Sequence, residues 1–208
     1  MIAPKIRSRI MALVVAALAL PIAVLAANTE PAPLKSPAAF ASIADKDARS
    51  VALFNEMGKV IQSPRCINCH PRGDHPLQGE DMHPHSPPVE RGPYNFGATG
   101  MECTTCHGRE NVAFANGERS IPGNRKWSLA PPAMAWEGKT LGEICTQIKD
   151  PARNGHKTLD QLVEHNTSDV LVGWGWHPGK GRTPAPGTQA QFGALTRAWV
   201  DSGAKCPA

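Results

Sequence analysis

Apolar positions recur with helical spacing in only four stretches of this chain. Between Asp45 and Gln62, the residues Ser50, Phe54, Met57 and Ile61 share one face with Val51 and Gly58 beside them, which predicts an amphipathic helix delivering the chain to Cys66. Leu141, Ile144, Cys145 and Ile148 repeat at helical intervals until Pro151 ends the run, giving a second helix. A shorter helix is predicted from about Thr158 to His165, and Phe192, Leu195, Trp199 and Val200 mark a terminal helix that stops near Gly203.

Between these helices the pattern breaks down. Residues 71 to 101 contain Pro71, Pro76, Pro84, Pro87, Pro88 and Pro93 together with five glycines, so a wrapping loop is expected there. A second irregular stretch, 108 to 137, carries Trp127, Pro131, Pro132, Met134 and Trp136. At the start, Lys5, Arg7 and Arg9 precede an apolar run from Ile10 to Ala26 that is interrupted by Pro21 and ends in small residues, the layout of a cleaved secretory signal and not of a permanent span. Residues 27 to 44, with Pro31, Pro33 and Pro37, read as a flexible Pro/Ala-rich lead-in. The predicted organisation is therefore a signal peptide (1–26), the lead-in (27–44) and a single compact domain (45–208), mainly α with long irregular loops.

Composition sharpens this picture. Glycine and proline make up 39 of 208 residues, against a usual combined share of roughly 12%. Large core formers are few, with one Tyr, five Phe and five Trp. Such a chain suits a loop-rich fold packed around large apolar cofactors. Losing the three cations of the signal lowers the formal charge from +4 to +1, so the exported domain is nearly neutral and lacks the basic footprint of a nucleic-acid binder. No membrane span is expected once the signal is removed. Lys149, Lys157, Lys180 and Arg182 read as scattered solvated charge, and Trp174, Trp176 and Trp199 as packing residues.

The candidate chemistry lies in two C-x-x-C-H motifs, Cys66-Ile67-Asn68-Cys69-His70 and Cys103-Thr104-Thr105-Cys106-His107. Cysteines three apart lie on one side of a turn, where they can take up the two vinyl groups of a haem, and the adjoining histidine then projects beneath the macrocycle as proximal iron ligand. A zinc site or a redox disulfide is the competing use of C-x-x-C. Finding His after both pairs by accident is on the order of one in several hundred, and the 33 residues between Cys69 and Cys103 exceed the roughly 15 to 20 of a four-cysteine zinc site. Two covalently bound haem c groups are therefore expected, and the fold becomes a compact diheme cytochrome c. A domain of this length has a radius of gyration of about 16 Å, too small to keep two haems apart.

For the distal side of each iron, His85 and His165 are the leading candidates, with His83, His177 and Met134 as alternatives. His83 and His85 sit in the wrapping loop, His165 ends a helix next to Leu162 and Val163, and His177 lies between Trp176 and Pro178. His75, five residues past His70 with Pro71 between, reads as a loop residue, and Met101 is a weaker methionine candidate than Met134. Bis-histidine ligation is the leading arrangement; a His/Met haem is the alternative. Cys145 and Cys206 remain, and in an exported protein a disulfide between them is the simplest account, with thiolate ligation by Cys145 as the sharper alternative.

The stretch from about Cys66 to Pro207 resembles a small diheme family associated with isoquinoline 1-oxidoreductase-type molybdenum hydroxylases. The matching segments are residues 66–71, residues 100–107, Ile148-Lys149-Asp150-Pro151-Ala152-Arg153-Asn154-Gly155 and Trp174-Gly175-Trp176. That resemblance implies a periplasmic protein accepting electrons from a dehydrogenase such as a molybdenum hydroxylase. The chain itself carries no molybdopterin or flavin motif, so an electron carrier is expected rather than an enzyme. The rival is a small haem enzyme with one open iron position acting on peroxide or a small nitrogen or sulfur compound.

Overall fold

In a computed structural model, which describes residues 33–208, all four periodic stretches are helical. They form α1 (Lys46–Ile61), α3 (Leu141–Lys149), α4 (Leu159–Ser168) and α6 (Gln189–Asp201), and two short helices, α2 (Pro64–Ile67) and α5 (Val170–Trp174), complete the set. The expected signal peptide (1–26) and the first part of the expected lead-in lie outside the described residues. Local chemistry fixes each start. Asp45 accepts a hydrogen bond from the Ala48 backbone at 2.6 Å, while Thr140 with Glu143, Thr158 with Gln161 and Thr188 with Gln191 form reciprocal capping boxes.

The core is a helical layer in which α6 packs against both α1 and α4. Phe54 and Trp199 meet at a ring-centroid distance of 5.0 Å, and with Met57, Val60, Ile61, Ile144 and Leu195 they are fully enclosed. The predicted α1 face is the buried one. Ser50 sits on that face because its hydroxyl is used: it accepts from the Lys205 backbone at 2.9 Å, and the Trp199 indole donates to the carbonyl of the same Lys205 at 2.9 Å. Cys145 and Cys206 are joined as a disulfide with Cα atoms 5.6 Å apart, which fastens the C-terminal tail to α3 and removes Cys145 as an iron-ligand candidate.

One expectation is corrected. Residues 33–44 pack onto the core: Leu34 and Phe40 are buried, and the Lys35 backbone donates to the carboxylate of Glu56 at 2.9 Å. Pro37 starts a single 3-10 turn (Pro37–Phe40) that sets Phe40 against α1 and α6, so the prolines here direct the chain instead of freeing it.

The breaker-rich stretches are irregular, pinned by three two-residue antiparallel ladders: β1 (Leu77–Gln78) with β2 (His83–Pro84), β3 (Gly97–Ala98) with β4 (Met101–Glu102), and β5 (Val112–Ala113) with β6 (Ser120–Ile121). The buried Arg91 holds the first of these stretches against the second by donating to Ala130, Asn95 and Gly73. Among the described residues no helix is long and apolar enough to cross a membrane.

Candidate functional site

Both C-x-x-C-H motifs are single turns. Pro64 opens α2, and the amides of Cys66, Cys69 and His70 bond to the carbonyls of Ser63, Cys66 and Ile67, so both thiols lie on one side of the turn. At the second motif a 3-10 turn, Cys103–Thr105, does the same, closed by the His107 amide on the Cys103 carbonyl at 2.9 Å.

The two histidines share one setting. His70 donates from Nδ1 to the carbonyl of Met134 at 2.7 Å and lies flat on Trp136, centroids 3.5 Å apart and planes within 8°. His107 donates from Nδ1 to the carbonyl of Pro122 at 2.7 Å and stacks on Trp127 at 4.7 Å and 21°. Once Nδ1 carries the proton, Nε2 keeps its lone pair, the form in which imidazole ligates a metal. The backing groups all come from the irregular stretch 122–136, which is tied to the first motif by Ala130 on the Cys69 carbonyl and Trp136 on the His70 carbonyl, both at 2.9 Å. The sequence signalled this segment by its tryptophans. The two backbone acceptors carried no side-chain signal.

Electrostatics favour uncharged donors. Burial pushes the Cys66 thiol up to about 12 and that of Cys69 up to about 11, and brings His70 down to about 4. The same cause raises Cys103 and lowers His107, which lie nearer the surface. After burial and the opposing pull of Arg65, the Cys103 thiol is the remaining influence on Cys69. Both first-motif cysteines are half-buried, and Cys106 of the second motif is exposed.

No family model, curated protein or solved structure matches this chain.

The candidate cofactor is therefore tested on the donors themselves. Among the described residues no three His, Cys, Asp or Glu side chains converge as a metal cluster, so the C-x-x-C pairs do not close into a tetrahedral zinc site. Four buried polar atoms without partners, Arg65 Nε, Asn68 Oδ1, Arg91 Nε and Trp136 Nε1, belong to the first motif or to the segments packed around it. Paired thiols on one turn and ligand-ready imidazoles fit a covalently attached macrocycle at each motif.

The distal candidates divide cleanly. His85 lies 5.9 Å from His107 between ring centroids, and His165, on α4, is close enough for its charge to disfavour protonation of His70. His83 is exposed, with Nδ1 on Asp81 at 2.6 Å and Nε2 on the Gln78 amide at 3.0 Å, leaving neither ring nitrogen free. His177 is exposed and contributes its backbone carbonyl to Asn111. Met134 is buried in the hydrophobic core, and its carbonyl holds His70. His75 is exposed and bonded to the Val89 carbonyl, and Met101 is half exposed on β4.

Proposed function

We propose that this protein is an exported c-type cytochrome carrying two haem c groups, which passes electrons between a dehydrogenase and another redox protein. Cys66 and Cys69 would hold one haem with His70 as proximal ligand; Cys103 and Cys106 would hold the other with His107. When bound, each group supplies a one-electron centre that alternates between ferric and ferrous iron. The chain's own contribution is to keep both imidazoles neutral and to orient them through backbone carbonyls.

The observation that carries this reading is the shared setting of His70 and His107, each with Nδ1 on a carbonyl and a tryptophan against its face. A thiol–disulfide motif has no use for a histidine oriented in that way, and a structural zinc, which could use one, would need further donors converging on the same point, which are not found among the described residues. One segment, residues 122–136, backs both His70 and His107, which supports close approach of the two haems, as electron exchange within one domain requires. The disulfide is compatible with an oxidising, periplasmic setting. A molybdenum hydroxylase-type dehydrogenase is the electron donor that the resemblance of the motifs implies.

The test is haem content after expression in a host that attaches haem c in its periplasm. Two covalent haems per chain are expected by pyridine haemochrome and intact mass, falling to one in Cys66→Ser/Cys69→Ser and in Cys103→Ser/Cys106→Ser. A parent chain that leaves the periplasm with zinc or an intramotif disulfide and no haem refutes the proposal.

A further inference from the structure

We infer that the distal ligands are delivered crosswise: His85, from the loop after the first motif, serves the iron held by His107, and His165 on α4 serves the iron held by His70. This rests on the two-haem reading above and adds which histidine closes which iron. Both irons are then six-coordinate, which makes the protein a carrier and leaves no open position for a substrate.

The second pair is defined by distance. Imidazole nitrogens bind metals at about 2 Å, so two rings on opposite sides of one iron have centroids about 6 Å apart. His85 and His107 stand at 5.9 Å, with planes inclined at 65°. His85 is oriented as the proximal histidines are: its Nδ1 donates to the Pro87 carbonyl at 2.8 Å, leaving Nε2 with the lone pair. The ring is half-buried, in contrast to the exposed rings of His75 and His83 in the same loop.

The delivery of His85 starts at the first motif. Leu77 donates to the Asn68 carbonyl at 3.2 Å as β1 begins, and the Asn68 amide and the Arg65 guanidinium both donate to the Gly79 carbonyl at the turn, at 3.0 and 3.2 Å. Arg65 also pairs with Glu80 at 3.0 Å, and the His85 amide closes on the Pro76 carbonyl at 3.0 Å. The hairpin is thus braced on the attachment turn of one haem while it carries His85 to the other.

His165 is left for the first iron by position. It lies one helical turn after Leu162, which is buried in the cluster that contains Met134 and against which Cys66 packs. Its Nδ1 faces the Asp169 carboxylate at 3.8 Å, so Nε2 points to the other side of the ring. Asp169 is itself fixed, accepting from the Leu171 amide at 2.8 Å and from Lys126 at 3.1 Å.

Spin state and carbon monoxide binding test the crossing. In Cys103→Ser/Cys106→Ser, which keeps only the first haem, His165→Ala should create a high-spin iron that binds one carbon monoxide per chain, and His85→Ala should leave a low-spin spectrum. In Cys66→Ser/Cys69→Ser the two effects should exchange. If His85→Ala opens the first haem, or if neither variant changes either haem, the assignment is overturned. Should the single-haem chains not accumulate, His85→Met and His165→Met in the two-haem protein replace them. Each should raise one midpoint potential and alter a different low-spin EPR signal: His85→Met the signal that Trp127→Phe, beside His107, also shifts, and His165→Met the one that Trp136→Phe, beside His70, shifts; the reverse pairing, changes in the same signal, or changes in neither overturn the crossing. A parent protein without covalent haem overturns both this inference and the reading beneath it, whereas a two-haem parent with the wrong variant pattern overturns the crossing alone.

Discussion

Removing the disulfide gives the most direct energetic test of how the helical core supports the site. Cys145 and Cys206 are separated by 61 positions, and releasing a loop of that size from the unfolded ensemble costs about 4 kcal/mol in the chain-entropy model. Cys145 has no solvent exposure, so alanine at both positions is the cleanest replacement; serine would bury a hydroxyl with nothing arranged to meet it. In a chain of this size about 4 kcal/mol corresponds to a fall in Tm of roughly 10–15 °C. The assay is urea unfolding and calorimetry of Cys145→Ala/Cys206→Ala against the parent at equal haem content. Thiol reductants, which cleave the disulfide, offer a second route. A loss below about 1 kcal/mol would refute the loop-entropy argument. It would mean that the Trp199, Lys205 and Ser50 hydrogen bonds, and not the covalent link, hold the tail.

Three further outcomes are expected. In chain prepared without haem, His70 has a folded value of about 4 against 6.5 unfolded, so below pH 6.5 the unfolded state takes up a proton that the folded state refuses. Stability should therefore fall by up to about 3 kcal/mol as pH drops from about 6.5 to 4, and His70→Gln should flatten that slope in urea titrations; an unchanged slope counts against it. Arg91→Met should destabilise by about 1–3 kcal/mol in denaturant unfolding, because it removes the bonds by which the buried guanidinium ties the Gly73 carbonyl to that of Ala130. Gly92→Ala should lower the urea midpoint by an amount equivalent to about 2 kcal/mol or more: φ is +67°, and an added Cβ would collide with the Gly97 carbonyl, so a neutral result would show that this turn can rearrange.

Much of the helical frame was legible because its signals are local. The apolar periodicity that marks α1, α3, α4 and α6 is the same property that buries their faces, and Thr158, at the expected start of a helix, is its cap; the capping roles of Thr140 and Thr188 emerge only from the structure. The leftover cysteines were paired correctly by counting. Residues 33–44 were misjudged because proline content was read as freedom, when two apolar residues, Leu34 and Phe40, were enough to bind the segment to the core. The short α2 and α5 and the two-residue ladders lie below the length at which periodicity can be seen. At the site, C-x-x-C-H identified the turns and the candidate imidazoles. It could not separate His83 from His85, because that difference depends on where each ring nitrogen's hydrogen bond falls, a property of the folded hairpin.

The carbonyls behind His70 and His107 have a consequence for how this site tolerates change. A side-chain acceptor disappears with one substitution, whereas the oxygens of Met134 and Pro122 remain whatever residue stands there, provided the main chain keeps its course. The orientation of both imidazoles is thus insulated from drift at the positions that create it. A substitution would disturb it only through the residues that steer the backbone, such as the prolines at 131 and 132 and the Arg91 clamp, so two chains could share this geometry while having little in common outside the six cysteines and histidines of the motifs.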